Sequence, residues 1–370
     1  MSYEAESRML DEEILGVIAA WHARGEVLDD DGFNDLALRL FGYQLRYNRP
    51  YARYCEHLGV TPAALPSSWE AIPAVPAPAF KEAALCTFDP ARAALVFETS
   101  GTTEGTAGRH YLQTPALYDA ALLAAFDRFV LPDGARLRYL NCVPNPADSP
   151  HSSLGYMMKR VADSRGDGET GWYVREGELL LDEFLRDVRG AIALDRPLCI
   201  ATTAFALLHV LDAMEVADLR LKLPQGSRAM ETGGFKGRTR VVGHEELYAR
   251  ASDRLGLAPQ GIVAEYGMTE LSSQYYDRVP SSGAIAERRK IAPPWLRARV
   301  VGPDRRTLPR AQIGSVLHVD LANRASCIAV QTEDRGVSYE DGLVLVGREA
   351  DAEPRGCSLD AEDFKAAGER

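Results

Sequence analysis

The sequence predicts an α/β fold in which a largely parallel sheet is flanked by helices and joined, late in the chain, by a small antiparallel β region. Three observations carry this expectation. Short apolar runs alternate with amphipathic stretches from about residue 90 to residue 265, the pattern of βαβ units. Beyond about residue 296 turn residues separate strands of period two. A chain of 370 residues with 46% apolar and 26% charged content can also bury a sizeable core.

The elements follow in order. The first ninety residues are mostly helical in pattern and end in PSSWEAIPAVPAPAF (66–80), read as an ordered connector or docking strap. ALVFE (94–98) is a strand, and a helix opens at Thr114 with Pro115 as its first helical residue. LRYLNCV (137–143), PLCIAT and GIVAE (261–265) read as strands. LDEFLRDVRGAIAL, FALLHVLDAM and HEELYARASDRLG read as helices, the last closed by Gly256. A sheet built this way places ligands at the carboxyl ends of its strands. RARVVGPDRRTLPRAQIGSVLHVDL supplies the antiparallel hairpin region. No internal repeat is present. The expected organisation is a helical segment, 1–90, packed on a core, 91–346, with the β subdomain from about 296 and a tail, 347–370.

Bulk properties narrow the functional class. A formal charge of -11 argues against a nucleic-acid or anionic-membrane surface, since both favour clustered Lys and Arg. The N-terminal MSYEAESRMLDEEILG is acidic where a secretory signal needs a basic and then an apolar run, and no stretch reaches the roughly 18 apolar residues of a spanning helix. A cytoplasmic protein without membrane insertion is expected, its partners small molecules or proteins. The N-terminal segment is available for a homo-oligomer or partner contact. Six cysteines lie scattered without a CxxC pair, and five of them read as small core residues. His110, His209, His244 and His318 show no metal-ligand spacing.

Two motifs carry chemistry. ETSGTTEGTAGRH (98–110) is a hydroxyl- and glycine-rich loop following a strand and, after a few residues, preceding a helix. Its glycines let backbone N–H groups approach phosphate oxygens, and Ser100, Thr102 and Thr103 add hydroxyl donors. The lysine and spacing of a P-loop are missing, leaving Arg109 and His110 as the nearby cationic candidates. A plain surface turn is the alternative. EYGMTELSSQYYD (265–277) ends another apolar run. There Tyr266 can stack on an adenine face, Thr269 can donate to a phosphate, and Glu270 can hold Mg²⁺, a hard cation suited to carboxylate and phosphate oxygens. The bland readings are a half-buried aromatic and a solvated charge. His151, ahead of Ser152 and Ser153, is a candidate for lining an acyl pocket, with a loop histidine as the alternative. Leu140 to Met158 and TTAFALLHV are candidate pocket walls.

Taken together, SGTT (100–103), the GG of ETGGFKGR (231–238), YGMTE (266–270), TED (332–334) and GR (347–348) occur in the order seen in adenylate-forming enzymes. SSLGYMM (152–158), TTAFALLHVLD (202–212) and GGFKGRTR (233–240) resemble the acyl-protein synthetase branch, known from the fatty-acid reductase complex of luminous bacteria and related to phenylacetate-CoA ligases. The likeness covers roughly residues 90 to 360. It implies the large domain of an adenylate-forming synthetase, with ATP and Mg²⁺ as cofactors and a carboxylic acid as substrate. It places Ser100, Gly101, Thr102 and Thr103 around the triphosphate, Gly233 and Gly234 against the adenine, and Tyr266, Gly267 and Met268 beside it. It further places Thr269 on the α-phosphate, Glu270 on Mg²⁺, Asp334 on the ribose hydroxyls and Arg348 on ribose or phosphate.

Departures from the family pattern are as informative. Glu104 stands where the superfamily usually has glycine, and the loop lysine is absent, with Arg109 or Lys236 as substitutes. The chain stops at Arg370, where the superfamily continues into a cap that supplies a catalytic lysine, so a truncated cap is expected; either adenylation proceeds without that lysine, as the resemblance allows, or a partner or Lys365, the weaker candidate and otherwise a solvated tail residue, supplies a charge. The resemblance also implies an acyl-cysteine, for which Cys357 in EPRGCSLD is the candidate nucleophile, Arg355 favouring its thiolate, with an inert cysteine in a terminal turn as the alternative. Three functions follow: acyl activation with transfer to a thiol of the protein itself or of a reductase or acyl-carrier partner; a ligase with coenzyme A or an amine as acceptor; and an idle nucleotide-binding scaffold.

Overall fold

The computed structural model describes residues 2–99, 107–233 and 242–348. Ser100, Gly101, Thr102, Thr103, Gly234, Lys236 and Cys357 lie outside the described residues. By its contacts the chain forms two compact units, one comprising Met1–Ala124, Met268–Gln274 and Ala292–Arg370, the other Ala125–Gly267 and Tyr275–Ile291.

The first unit opens with helices Tyr3–Arg24, Asp30–Tyr47 and Arg49–His57, each started by a side-chain cap from Ser2, Asp29 or Asn48. On the first helix Leu10, Ile14, Ile18 and Trp21 fall on one face and are buried. Trp21 meets the fully buried Trp295 edge to face at 5.3 Å. The apolar face of the first helix is therefore consumed inside its own unit. The Pro-rich passage is an ordered connector: Val75–Pro76 adds a short parallel strand beside Val330 and Gln331. The late region is the expected antiparallel sheet, Leu296–Val301, Ile313–Asp320, Ala329–Tyr339 and Gly342–Arg348, paired in chain order.

ALVFE forms the strand Leu95–Glu98, but its partner is Arg109–Leu112 in a two-stranded antiparallel hairpin. The hydroxyl-rich loop is thus the connection of a hairpin rather than a strand-to-helix crossover. The second strand is only four residues long, with an alternating burial pattern too brief to stand out beside the helix that follows. That helix runs Ala116–Phe129, one residue later than expected, with the Thr114 hydroxyl accepting from the Ala116 amide.

The second unit is the predicted βαβ array. Strands Leu137–Pro144, Leu198–Thr203, Arg228–Thr232 and Ile262–Tyr266 lie parallel in that order, and Gly166–Arg175 flanks the first on its other side. Helices Ser153–Arg165, Leu181–Ala193, Ala204–Val216 and His244–Leu255 make the crossovers. The last ends on Gly256 at φ 66°, the left-handed cap that glycine adopts without strain. Antiparallel strands Tyr275–Arg278 and Arg289–Ile291 continue the sheet beyond Ile262–Tyr266. Because Leu137–Pro144 has later strands on both sides, it marks a topological switch point, where an open α/β sheet offers its crevice. Cys55, Cys86, Cys142, Cys199 and Cys327 are buried, as read from the sequence. Among the described residues no helix is long and apolar enough to cross a membrane.

One buried pair anchors the first helix to the rest of its unit. Arg324, its side chain 2% exposed, takes both carboxylate oxygens of Asp11 at 2.7 Å and also donates to Gln113 at 2.9 Å. Removing one partner of such a pair strands the other charge, so Asp11→Ala is expected to destabilise by about 3 kcal/mol. Chemical denaturation of the full chain measures it.

Candidate active site

In the second unit the carboxyl ends of the parallel strands collect several of the expected residues. His151, Ser152 and Ser153 follow Leu137–Pro144, Gly233 follows Arg228–Thr232, and Tyr266 and Gly267 close Ile262–Tyr266. His151 is exposed. Ser152 caps the helix Ser153–Arg165, its hydroxyl accepting from the Gly155 amide at 3.0 Å. Gly233 adopts φ 72°, and a Cβ built there meets no atom of the described residues within 4 Å. Tyr266 is half-buried, its ring 5.7 Å from that of Tyr275. Beneath this edge Thr232 is hydrogen-bonded to the buried Glu265. Glu231, also buried, accepts from the Tyr248 hydroxyl at 2.8 Å and lies 3.2 Å from His244 Nε2. That bond to Glu231 holds the His244 pKa above the usual histidine value. The candidate pocket walls are corrected: Leu140, Cys142, Ala204, Leu207 and Leu208 belong to the apolar core under the sheet.

The first unit holds the remaining residues. At the mouth of the hairpin the Thr99 amide donates to the Gly108 carbonyl and the Gly108 amide to the Thr99 hydroxyl, both at 2.9 Å. Arg109 is half exposed and pairs with Glu98 across the hairpin at 2.9 Å. His110, read from sequence as a cation, is instead neutral at pH 7. Its ring is fully buried, and burial pushes its pKa down to about 4. Its Nδ1 lies 2.8 Å from the Thr269 carbonyl oxygen, which has no proton to give, so Nδ1 carries the hydrogen and donates.

Residues 268–274 form a turn gripped on several sides. The Glu270 carbonyl accepts from Asn323 Nδ2 at 2.9 Å, and Glu270 itself is buried rather than a solvated charge. Asp320, fully buried, accepts from the Ser272 amide at 2.9 Å, the Ser273 hydroxyl at 2.8 Å and the Ala322 amide at 2.9 Å. Ser272 donates to Asn323 Oδ1 at 2.6 Å, and Trp295 Nε1 donates to Ser273 at 3.0 Å. Asp334 and Arg348, expected at a ribose, sit opposite each other on neighbouring strands with Nε and Oδ1 2.8 Å apart. Sequence reading missed Asp320 and Asn323. Their one signal is a pair of carboxylate and amide side chains at the end of the apolar run SVLHV.

The chain thus holds a switch-point α/β sheet and an antiparallel meander carrying TED and GR. Solved structures agree on the fold. The chain resembles a 2-hydroxyisobutyryl-CoA ligase in complex with 2-HIB-AMP and CoA, with a TM-score of 0.64 and 15% identity over 89% of this chain and 70% of that one. It also resembles the McyG A-PCP structure complexed with phenylalanyl-adenylate, with a TM-score of 0.51 and 20% identity over 71% of this chain and 42% of that one. A long-chain-fatty-acid-CoA ligase from Archaeoglobus fulgidus gives 0.50 and 14% over 70% of this chain and 52% of that one. The chain therefore spans about half the length of the latter two. No protein-family model and no curated protein sequence matches it.

Two outcomes follow from the buried groups. Asp320→Asn puts an amide N–H against a donor that the carboxylate now accepts, and is expected to cost about 2 kcal/mol in denaturant titrations. His110 and His318 are both fully buried and pushed down to about 4 from 6.5. Their depressed values mean that the native state binds fewer protons, so the stability they contribute is complete above pH 6.5 and is lost as pH falls towards 4. Asp320, raised to about 6 by burial, acts in the opposite sense. Two histidines against one carboxyl give a net loss, seen as a falling denaturation midpoint between pH 6.5 and pH 4.

Proposed function

We propose that the chain is an ATP- and Mg²⁺-dependent ligase that converts a carboxylic acid to its acyl-adenylate and passes the acyl group to a thiol, as an acyl-protein synthetase does. The observation that carries this reading is the gripped turn 268–274, which carries Thr269 and the buried Glu270 on a backbone held by His110, Asn323 and Asp320. The fold supports it, since solved examples hold acyl-adenylates.

The residues present fit the cofactors. Among the described residues nothing stands within 4 Å of a Cβ at Gly233, which suits an adenine face, and the half-buried Tyr266 offers a ring to stack on it. Glu270 supplies the hard oxygen ligand that Mg²⁺ takes together with phosphate oxygens. When bound, the ion supplies neutralisation of the triphosphate charge. Asp334 is the acceptor for ribose hydroxyls, with Arg348 beside it for ribose or phosphate. A carboxylate oxygen of the acid attacks the α-phosphorus, and the bond to the bridging oxygen breaks, releasing pyrophosphate. The chain's part is to orient the reactants and stabilise charge, with no protein nucleophile needed in this step. In the second step a thiolate attacks the acyl carbon and AMP leaves. Cys357 is the candidate thiol in the chain; a reductase or carrier protein is the candidate partner. A small-molecule acceptor is the second reading, favoured by the CoA held in the 2-hydroxyisobutyryl-CoA ligase structure.

Incubation with ATP, Mg²⁺, hydroxylamine and a panel of fatty, aryl and amino acids is expected to release pyrophosphate with at least one acid class. Glu270→Ala is expected to lower that release by roughly a hundredfold or more. Acyl label retained on the protein and lost in Cys357→Ser supports self-acylation, whereas acyl-CoA formed on adding coenzyme A selects the second reading. ATP binding without pyrophosphate release across the panel overturns the proposal in favour of a scaffold.

A further inference from the structure

The two motifs assigned to phosphate handling meet in the first unit through one imidazole. The hydroxyl- and glycine-rich loop is the connection of the hairpin Leu95–Glu98 and Arg109–Leu112, and its mouth is closed by the paired bonds between Thr99 and Gly108. Two residues past Gly108, His110 turns into the interior, opposite Phe97 in the hairpin register, its ring edge-on to Phe80 at 6.0 Å. From there Nδ1 reaches the Thr269 carbonyl at 2.8 Å. This is a bond of the hairpin to the turn, whereas the other anchors of the turn, Asp320, Asn323 and Trp295, come from the late β region.

Position matters here for a chemical reason. A hydroxyl and a carboxylate that touch a reacting phosphate act only if they sit at the right distance from the groups that cradle the rest of the triphosphate. The hairpin strand and the turn are remote in sequence, 159 residues separating His110 from Thr269. The imidazole is suited to hold them in register. Having no charge to solvate, it is stable in the interior, and its tautomer is fixed by an acceptor that offers no proton. A neutral ring donor of fixed orientation behaves like the groups that orient ligands around a metal, whose loss lowers activity without removing any contact to the substrate.

We propose that His110 is a positioning residue which, through the Thr269 carbonyl, fixes the turn 268–274 against the hairpin strands Leu95–Glu98 and Arg109–Leu112 in the position that adenylation requires. The inference rests on the function proposed above, and it gives the last residue of the first motif a task other than charge.

The test compares His110→Leu, which keeps an apolar bulk and loses the donor, with His110→Asn, whose side-chain N–H stands near the place of Nδ1. Both are made in the full chain. In the pyrophosphate assay His110→Leu is expected to lower kcat on the order of tenfold to a hundredfold, with the KM for ATP changed less than about threefold. His110→Asn is expected to recover most of the loss. Hydrogen exchange without nucleotide gives an independent readout. Amides of 268–274 are expected to exchange about tenfold faster in His110→Leu and near the wild-type rate in His110→Asn, while amides of Ala204–Val216 stay unchanged. Equal exchange of 268–274 in wild type and His110→Leu overturns the positioning role, as does an undiminished kcat or an Asn variant no better than Leu. A purely structural histidine would instead speed exchange in both segments together, which also overturns it. A wild-type protein that releases no pyrophosphate sinks the proposed function alone, and the exchange result still decides whether His110 holds the turn.

Discussion

A carboxylate taken out of water without a cation must be met by donors, and Asp320 is such a carboxylate. Its oxygens accept from the Ser272 and Ala322 amides and the Ser273 hydroxyl, so the turn after YGMTE cannot be placed independently of the strand end that carries Asp320. The dependence continues outward. Asn323, three residues on, takes the Glu270 carbonyl with its side chain, while its own carbonyl accepts from Gln44 Nε2 at 2.8 Å. Gln44 is fully buried and its oxygen accepts from the Ile328 amide, also at 2.8 Å. The helix Asp30–Tyr47, remote in sequence from every motif, is in this way part of the support for Glu270. The N-terminal helices have a task inside the unit and not only on its surface.

What could be read from the sequence follows from how locally each feature is encoded. The parallel strands and their helices were legible because apolar periodicity and a capping glycine act within a few residues of themselves, as in HEELYARASDRLG. Arg228–Thr232 was not, since RAMET carries only two apolar residues between charged ones, although the folded strand buries four of its five positions. Gly166–Arg175 escaped notice for the converse reason: it is a largely exposed, glycine- and acid-rich strand with little apolar pattern. The four-residue strand Arg109–Leu112 was hidden by its brevity, and with it the burial that turns His110 from an expected cation into a neutral donor.

The site divides along the same line. Glycines and hydroxyls announce a loop that can wrap an anion, so SGTT and YGMTE stand out in the sequence. The groups that hold the turn in place do not, because their partners lie 48, 53 and 159 residues away, for Asp320, Asn323 and His110 in turn. No spacing rule records such pairings. They exist only once the chain is folded.

The charge distribution bears on how an acidic chain can accept a polyanion. With a net charge of -11 the protein cannot rely on a general positive field, so attraction has to come from particular groups. Of the two arginines expected at the nucleotide, Arg109 pairs with Glu98 and Arg348 with Asp334, and both arginine side chains are about half exposed, at 52% and 46%. A solvent-exposed pair gains little from its partner, because water screens the attraction and the side chains lose freedom to hold it. Exchanging a carboxylate for a phosphate oxygen is then an easy step for these residues. The opposite holds for Arg324, which at 2% exposure cannot leave Asp11 without stranding a buried charge. The fold thus separates two kinds of polar group. Buried ones, Arg324, Asp320 and His110, keep a single set of partners and define position, whereas exposed pairs retain the freedom to change partners. On the proposed reading Arg348 is the clearest case, since moving it to a phosphate frees Asp334 to accept the ribose hydroxyls, and one exchange would then serve both recognition events.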